Sequence, residues 1–377
     1  MRKFLTAAAA IVCTASLVSA CGSDGSSAGG SHTGAHTGAL PADKSGAPYS
    51  VTLDKSTFKL SDRIIKKVEN GEKLNFVYSI SDAGQPVFSD AIKSGFESGV
   101  AAAAKDVDYP IASRMIGPVG GGNEKQVAEI RSLLNANQID ALVFNAAQPG
   151  PFVDVINQAM AAGVPVWGTG GDSPESDRIG FFALDEEAAG KLAGESAGKW
   201  AKAAKVDVKK AALFTGDPAG PWAQSRMTGF IEGLTAEFPG VTFVNSVKNP
   251  YNTSFDFPKV YADAKAFIAG NPDVQILFHT DQGVQMLGKA IADSKRTGKT
   301  WAGGFNLSDQ ILDYITSGDI VTTVGQNWNG QASSAAKAAA DFIFKGEVVK
   351  GVNAATPFVV TKDNVAVAET KLKSGGA

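Results

Sequence analysis

The residues best equipped for covalent or metal chemistry are scarce. The chain has two cysteines, Cys13 and Cys21, and three histidines, His32, His36 and His279. Both cysteines fall in the first 21 residues, so the rest of the chain has no thiol and no disulfide. A metal centre needs His, Cys or carboxylate ligands at fixed spacing, and a Ser-His-Asp triad needs a histidine beside its nucleophile. His32 and His36 stand four apart, which suits a metal on a helix, but their glycine-rich surroundings will not be helical. Gly117-Pro118-Val119-Gly120-Gly121-Gly122 lacks the dinucleotide pattern in its required place, and no phosphate loop, HExxH or GxSxG sequence occurs. No metal and no cofactor are expected. Nothing marks the matched acid and nucleophile of a glycosidase, so no enzyme is expected either. What remains is hydrogen-bond chemistry. Carboxylates accept, guanidinium groups donate in a fixed fork, and amides do both. Aromatic faces cover C–H patches. Gathered in a cleft, such groups hold a hydroxyl-rich ligand without reacting with it.

The first 21 residues carry an export signature. Arg2 and Lys3 precede an apolar stretch, Phe4 to Val18, too short for a comfortable membrane span. It ends Leu17-Val18-Ser19-Ala20-Cys21, which resembles a bacterial lipobox. That resemblance implies lipidation of Cys21, with residues 1–20 as the cleaved signal and the mature chain anchored on the outer face of the membrane. Residues 22–48 are Gly/Ser/Thr/Ala-rich and cannot bury enough to order themselves. As a flexible tether they would span roughly 30 Å.

The 377-residue length suits two domains. Apolar residues make up 44% and charged residues 19%, with a net charge of −3 and no run of like charge. That excludes a nucleic-acid surface, which needs a concentrated basic patch. From about Lys73, short β-branched apolar runs alternate with Ala-rich amphipathic stretches. Strands are expected at 74–80, 111–116, 141–145, 164–168 and 180–184, with helices near 87–104, 123–137 and 151–162. A second series has strands at 211–215, 241–247, 274–279, 300–305 and 320–324. Its helices fall near 185–204, 221–238, 254–269, 282–296 and 308–317. A helix at about 330–345 and a strand at 356–360 close the chain. The fold class is α/β: two doubly wound parallel-sheet lobes. The lobes are expected at 49–184 plus 326–350 and at 185–325 plus 351–377. Ligands in open α/β sheets sit beyond the carboxyl ends of the strands.

After the first strand comes Ser81-Asp82-Ala83-Gly84-Gln85-Pro86-Val87-Phe88. This arrangement resembles the type I periplasmic sugar-binding proteins, the group of the ribose and galactose receptors. The resemblance runs from Leu74 to about Val360 through the order and spacing of several motifs. It implies a hinge of three crossovers, near 184, 325 and 350, and a ligand held between the lobes. It places Gln85 and Phe88 at a polar and an aromatic contact, with core packing as the alternative for Phe88. It gives Asn145 as an amide at the third strand's end. Beyond the fourth strand many relatives have Asp-Arg, whereas this chain has Gly170-Gly171-Asp172. Asp185 is either a ligand contact or a helix N-cap. In the second lobe, Arg226 before Gly229-Phe230 matches an arginine that binds hydroxyls, and Trp222 is a second stacking wall. Asn252, Asp281, Asn306 and Gln326 complete the implied set. His279 reads as a core residue within its strand.

The implied function is capture of a small neutral sugar or polyol and its delivery to the permease of an ABC importer, by a monomer outside the cytoplasm. The alternative is a sensor of the same fold, for a sugar or furanosyl signal, that reports to a membrane receptor.

Overall fold

The computed structural model describes residues 49–53, 57–84 and 86–373. Cys21, the export signal, the tether and Gln85 lie outside the described residues. The body opens with a hairpin of β1 (Ser50–Thr52) and β2 (Thr57–Lys59), then α1 (Asp62–Glu69). Ser61 caps α1 by accepting the Ile64 N–H at 3.2 Å. Ile64, Ile65 and Val68 face the core. Arg63 and Lys67 instead reach the fully buried Asp140, which also takes the Asn75 N–H at 2.7 Å. A carboxylate is tolerated there because two cations and a backbone donor replace its water.

The first sheet follows from β3 (Leu74–Ser79), α2 (Pro86–Asp106), β4 (Ile111–Ile116), α3 (Asn123–Asn135), β5 (Ala141–Phe144), α4 (Val153–Ala161), β6 (Val166–Thr169) and β7 (Gly180–Ala183). The chain then crosses to α5 (Glu186–Ala203), β8 (Lys210–Thr215), α6 (Pro221–Glu237), β9 (Thr242–Phe243), β10 (Tyr251–Asn252), α7 (Phe257–Gly270), β11 (Ile276–His279), α8 (Val284–Asp293), β12 (Trp301–Phe305), α9 (Asp309–Ser317) and β13 (Ile320–Gly325). It returns through α10 (Trp328–Lys345) and β14 (Gly351–Ala354), and ends in β15 (Phe358–Val360) and α11 (Val365–Lys373). The first sheet has the order β14-β7-β6-β5-β3-β4, all parallel. The second runs β10-β8-β11-β12-β13-β15, with β9 also on β8 and β15 antiparallel. Strands covered on both faces by helices must be apolar throughout; β5, β7, β11 and β12 are buried at every position. This is the expected pair of doubly wound lobes.

Two details depart from expectation. The strand expected at 241–247 is shortened to β9, which pairs with the start of β8, while the end of β8 pairs with the later β10. Between them the Asn245 side chain takes over the ladder, accepting the Leu213 N–H at 2.9 Å and donating to the Leu213 carbonyl at 2.8 Å. The return crossover also falls later than residue 350. Gly351–Ala354 pairs with β7 in the first sheet, so the chain passes between sheets at 355–357.

The helix after each crossover is packed closely on a helix that starts beside the strand ends. α5 lies on α6 through Gly190, Gly194, Gly229 and Gly233. A Cβ on Gly229 would collide with the Glu187 carbonyl oxygen, and one on Gly190 with that of Arg226. α10 lies on α2 in the same way, at Gly95 and Gly99.

His279 ends β11, fully buried. The Asp281 N–H donates to its Nδ1 at 3.3 Å, so the ring proton sits on Nε2 and donates to Thr253 Oγ1, also at 3.3 Å. Thr253 passes its own proton to the Thr215 carbonyl at 3.0 Å. The neutral ring thereby joins the ends of β8, β10 and β11. Burial lowers its pKa below the ordinary value, against a smaller opposing pull from Asp281.

Two outcomes follow for folding. Gly229→Ala gains up to about 1 kcal/mol of helix propensity but overpacks the α5–α6 contact by about 1–3 kcal/mol. Urea unfolding should show a net loss, whereas Gly270→Ala, with open space at its Cβ, should show none. The second outcome concerns pH. The unfolded chain binds the His279 proton near pH 6.5 and the folded chain only below that. Stability from this group is therefore complete above about 6.5 and declines as pH falls, by at most about 1.4 kcal/mol per unit. Urea titrations between pH 7.5 and 5.5 should show that slope in the parent and its loss in His279→Gln.

Candidate functional site

Parallel strands put the loops after β8, β11, β12 and β13 at one end of the second sheet, beside the crossovers. Arg226, on the second turn of α6, is 3% exposed there. Its Nε donates to Glu186 Oε2 at 2.6 Å, Nη1 to the Thr280 carbonyl at 2.8 Å and Nη2 to Gln326 Oε1 at 2.7 Å. The guanidinium carbon lies 4.1 Å from the Phe305 ring centre and 4.9 Å from that of Trp222. A guanidinium has five N–H groups. With three partners among the described residues, one N–H remains on each of Nη1 and Nη2. These two N–H groups have no partner among the described residues.

Gln326 is oriented by this contact. Its oxygen faces Arg226, so its amide nitrogen donates to Asn306 Oδ1. Asn306 adopts a left-handed turn, φ 77°, which asparagine tolerates better than most residues. Asp281 is nearly buried, and its carboxylate accepts the N–H groups of Gly216 and Gly283, each at 3.0 Å. Trp222 lies parallel to Phe255, with centroids 6.3 Å apart and planes at 25°. Phe255 is 56% exposed and has φ 57°, directly after Ser254 at φ 53°. A bulky residue in that region carries strain of about 1–3 kcal/mol, and such strain gathers at ligand sites. Its ring occupies the space where Gly216 has no Cβ.

The first lobe contributes a second group. Phe88, half-buried near the start of α2, meets Trp328 edge-on at 4.9 Å and 81°. Asn145 follows β5 and donates to the Thr169 carbonyl at 3.0 Å. Thr169 Oγ1 in turn meets the Tyr78 hydroxyl at 2.5 Å. A Cβ on Gly170 would come within 2.6 Å of the Asn145 amide nitrogen. Beside them Gln331 of α10 donates to the Gln326 carbonyl at 2.8 Å. Its Oε1 is buried and has no partner among the described residues. Gln331 is thus bonded to the Arg226 group through Gln326 and stands near Gly170, beside Asn145.

Not every expected residue joins these groups. Asp172 is gripped by Arg178 through both carboxylate oxygens, and Oδ1 also takes the Ser173 N–H. The arginine missing directly after the fourth strand is supplied six residues later, and it turns Asp172 inward to a structural pair. Asp185 is exposed and caps α5, accepting the Ala188 N–H at 3.0 Å. Asn252 is exposed and holds a local turn, accepting the Ser254 N–H at 2.9 Å.

Glu186, Gln331, Phe255 and Arg178 were not anticipated. Glu186 reads as an ordinary acid in a helix's first turn, and Gln331 as a helix-surface amide. Phe255 had a visible signal: an aromatic beside Asn252 in the loop already singled out. No three-residue cluster of His, Cys, Asp or Glu able to hold a metal occurs among the described residues. None of the described helices is long and apolar enough to cross a membrane.

No curated protein sequence matches the chain. Its fold is shared with a glucose-galactose binding protein from Geobacillus stearothermophilus, at 23% identity and TM-score 0.64, covering 78% of this chain and 99% of that one. It is shared also with a carbohydrate transporter from Acidothermus cellulolyticus 11B solved with myo-inositol, at 20% identity and TM-score 0.63, covering 81% and 100%. A third likeness is the XylFII-LytSN complex, at 20% identity and TM-score 0.63, covering 77% and 98%. The sequence profile described as the periplasmic binding protein domain matches residues 76–347. With two doubly wound lobes joined by three crossovers, the chain belongs to the periplasmic binding protein family, in its type I form.

Proposed function

We propose that this chain is the lipid-anchored, extracytoplasmic binding component of an ABC importer, and that it carries a neutral sugar or polyol between its lobes. The observation that carries the reading is Arg226. Its charge is already matched by Glu186, and two of its five N–H groups have no partner among the described residues, so they are left for ligand oxygen atoms. Gln326, Asn306, Asn145 and Gln331 supply donors and acceptors near it, and Trp222, Phe255 and Phe88 supply ring faces for C–H patches. Asp281 accepts from hydroxyls. The names of two similar structures, a glucose-galactose binder and a transporter protein solved with myo-inositol, support the same ligand class. The lobes close on the ligand about the crossovers at 184–185, 325–327 and 355–357, and the closed form meets the permease. A sensor role gains some support from XylFII-LytSN, where a protein of this fold was solved with a second protein.

Titration calorimetry of the purified chain with glucose, galactose, arabinose and myo-inositol tests the ligand class. Several net hydrogen bonds less ordering costs give an expected affinity near −8 kcal/mol, about micromolar. Arg226→Ala should weaken that by about 1.5–3 kcal/mol, the range for hydrogen bonds to a charged group. Binding of phosphates or amino acids alone would overturn the reading. Anchoring is tested separately. Cys21→Ser should move the protein from the membrane fraction to the soluble one, and an unchanged distribution would remove the lipid anchor.

A further inference from the structure

We infer that Glu186 is a specificity-determining residue: by matching the charge of Arg226 it excludes sugar acids from the cleft and reserves it for their neutral counterparts. The inference rests on the sugar reading above and adds which sugars are refused.

The placement of Glu186 makes this possible. It is the first residue of α5, directly after the crossover and the Asp185 cap. Its carboxylate meets Arg226 at Nε, which leaves one N–H on each terminal nitrogen beyond those given to Thr280 and Gln326. It therefore cancels the charge without occupying those two remaining donors. The side chain is only 18% exposed and that of Arg226 only 3%, so water screens the pair weakly. The guanidinium plane is fixed from other sides by the Thr280 carbonyl, Gln326 and the Phe305 ring. Glu186 is thus not needed merely to hold the plane.

The remaining charges near the strand ends reinforce the exclusion. Asp172 and Arg178 cancel each other. Asp281 has His279 as its neighbour, and burial keeps that ring neutral at ordinary pH. The set Arg226, Glu186, Asp172, Arg178 and Asp281 therefore carries one net negative charge. A ligand carboxylate brought to Arg226 would meet a cation already matched and a second carboxylate close behind it. A hydroxyl meets no such penalty, because it brings no charge to be desolvated.

The test compares Kd values by calorimetry for matched pairs: galactose with galacturonate, glucose with glucuronate, arabinose with arabinonate. Parent protein is expected to bind a neutral member and to bind its acid far more weakly. Glu186→Gln keeps an oxygen for the Arg226 Nε but removes the charge. The ratio of acid Kd to neutral Kd should then fall by about tenfold or more, the scale of a removed like-charge juxtaposition. Glu186→Asp retains the charge one methylene farther back, and should lower the ratio in the same direction by a smaller factor. An unchanged ratio in either folded variant overturns the inference, since a purely structural role would weaken both ligands together. If the parent binds none of these neutral sugars and no inositol, the sugar reading itself fails.

Discussion

A guanidinium withdrawn from water must find acceptors, and Arg226 organises its end of the molecule around that requirement. Burying an unmatched charge costs several kcal/mol, and breaking a buried pair costs a similar amount. Arg226 avoids the cost with three acceptors drawn from three places: the start of α5, the end of β11 and the start of the return crossover. Two of them stand at segments that pass between the lobes: Glu186 directly after the first crossover and Gln326 within the second. One side chain is therefore bonded to both of these segments. Gln326 in turn orients Asn306, and the Thr280 carbonyl lies next to Asp281.

The helices transmit this arrangement. α6 carries Trp222 and Arg226, and its glycine contact with α5 leaves no room for side chains between the backbones. That closeness brings Glu186 within reach of Arg226 Nε. In the first lobe, α2 carries Phe88 and α10 carries Trp328 and Gln331; these helices also meet at glycines, so Phe88 touches Trp328. Each lobe thus positions its candidate site groups through one helix pair, and one member of each pair begins at a crossover. Ala-rich and Gly-rich helices, uninformative as composition, are the means of that positioning.

The strands and the two-lobe fold were legible because a parallel sheet covered on both faces imposes continuous apolar runs, and those survive in the sequence as written. The loops after the strands were legible as places, since topology fixes them, but less so as contacts. Arg226 was recoverable from its setting before Gly229-Phe230. Asp172 was recoverable only as a position: its partner Arg178 lies across a loop whose path no local pattern predicts. The break at Asn245 was hidden because an amide imitating a strand's backbone has no periodic signature. The pairing of Gly351–Ala354 was hidden for a related reason. These residues are largely exposed at a sheet edge and show no apolar run. Glu186 was hidden by its ordinariness, because acids are common in a helix's first turn.

Gln326 shows how such a site can be both rigid and hinged. Its side chain belongs to the second lobe, bonded to Arg226 and Asn306. Its carbonyl belongs to the first, taking the amide of Gln331 on α10. The next residue, Asn327, is left-handed at φ 55° and caps α10 by accepting the Gly330 N–H at 3.2 Å. Within this one of the three crossovers, the change of direction is concentrated in one or two residues whose groups are bonded on both sides. In the proposed closure, rotation here and at the other two crossovers changes the angle between the lobes while the bonds to each lobe persist. Under that proposal a ligand spanning Arg226 and Asn145 adds contacts only in the closed form, and this difference in contacts is what would drive the lobes together.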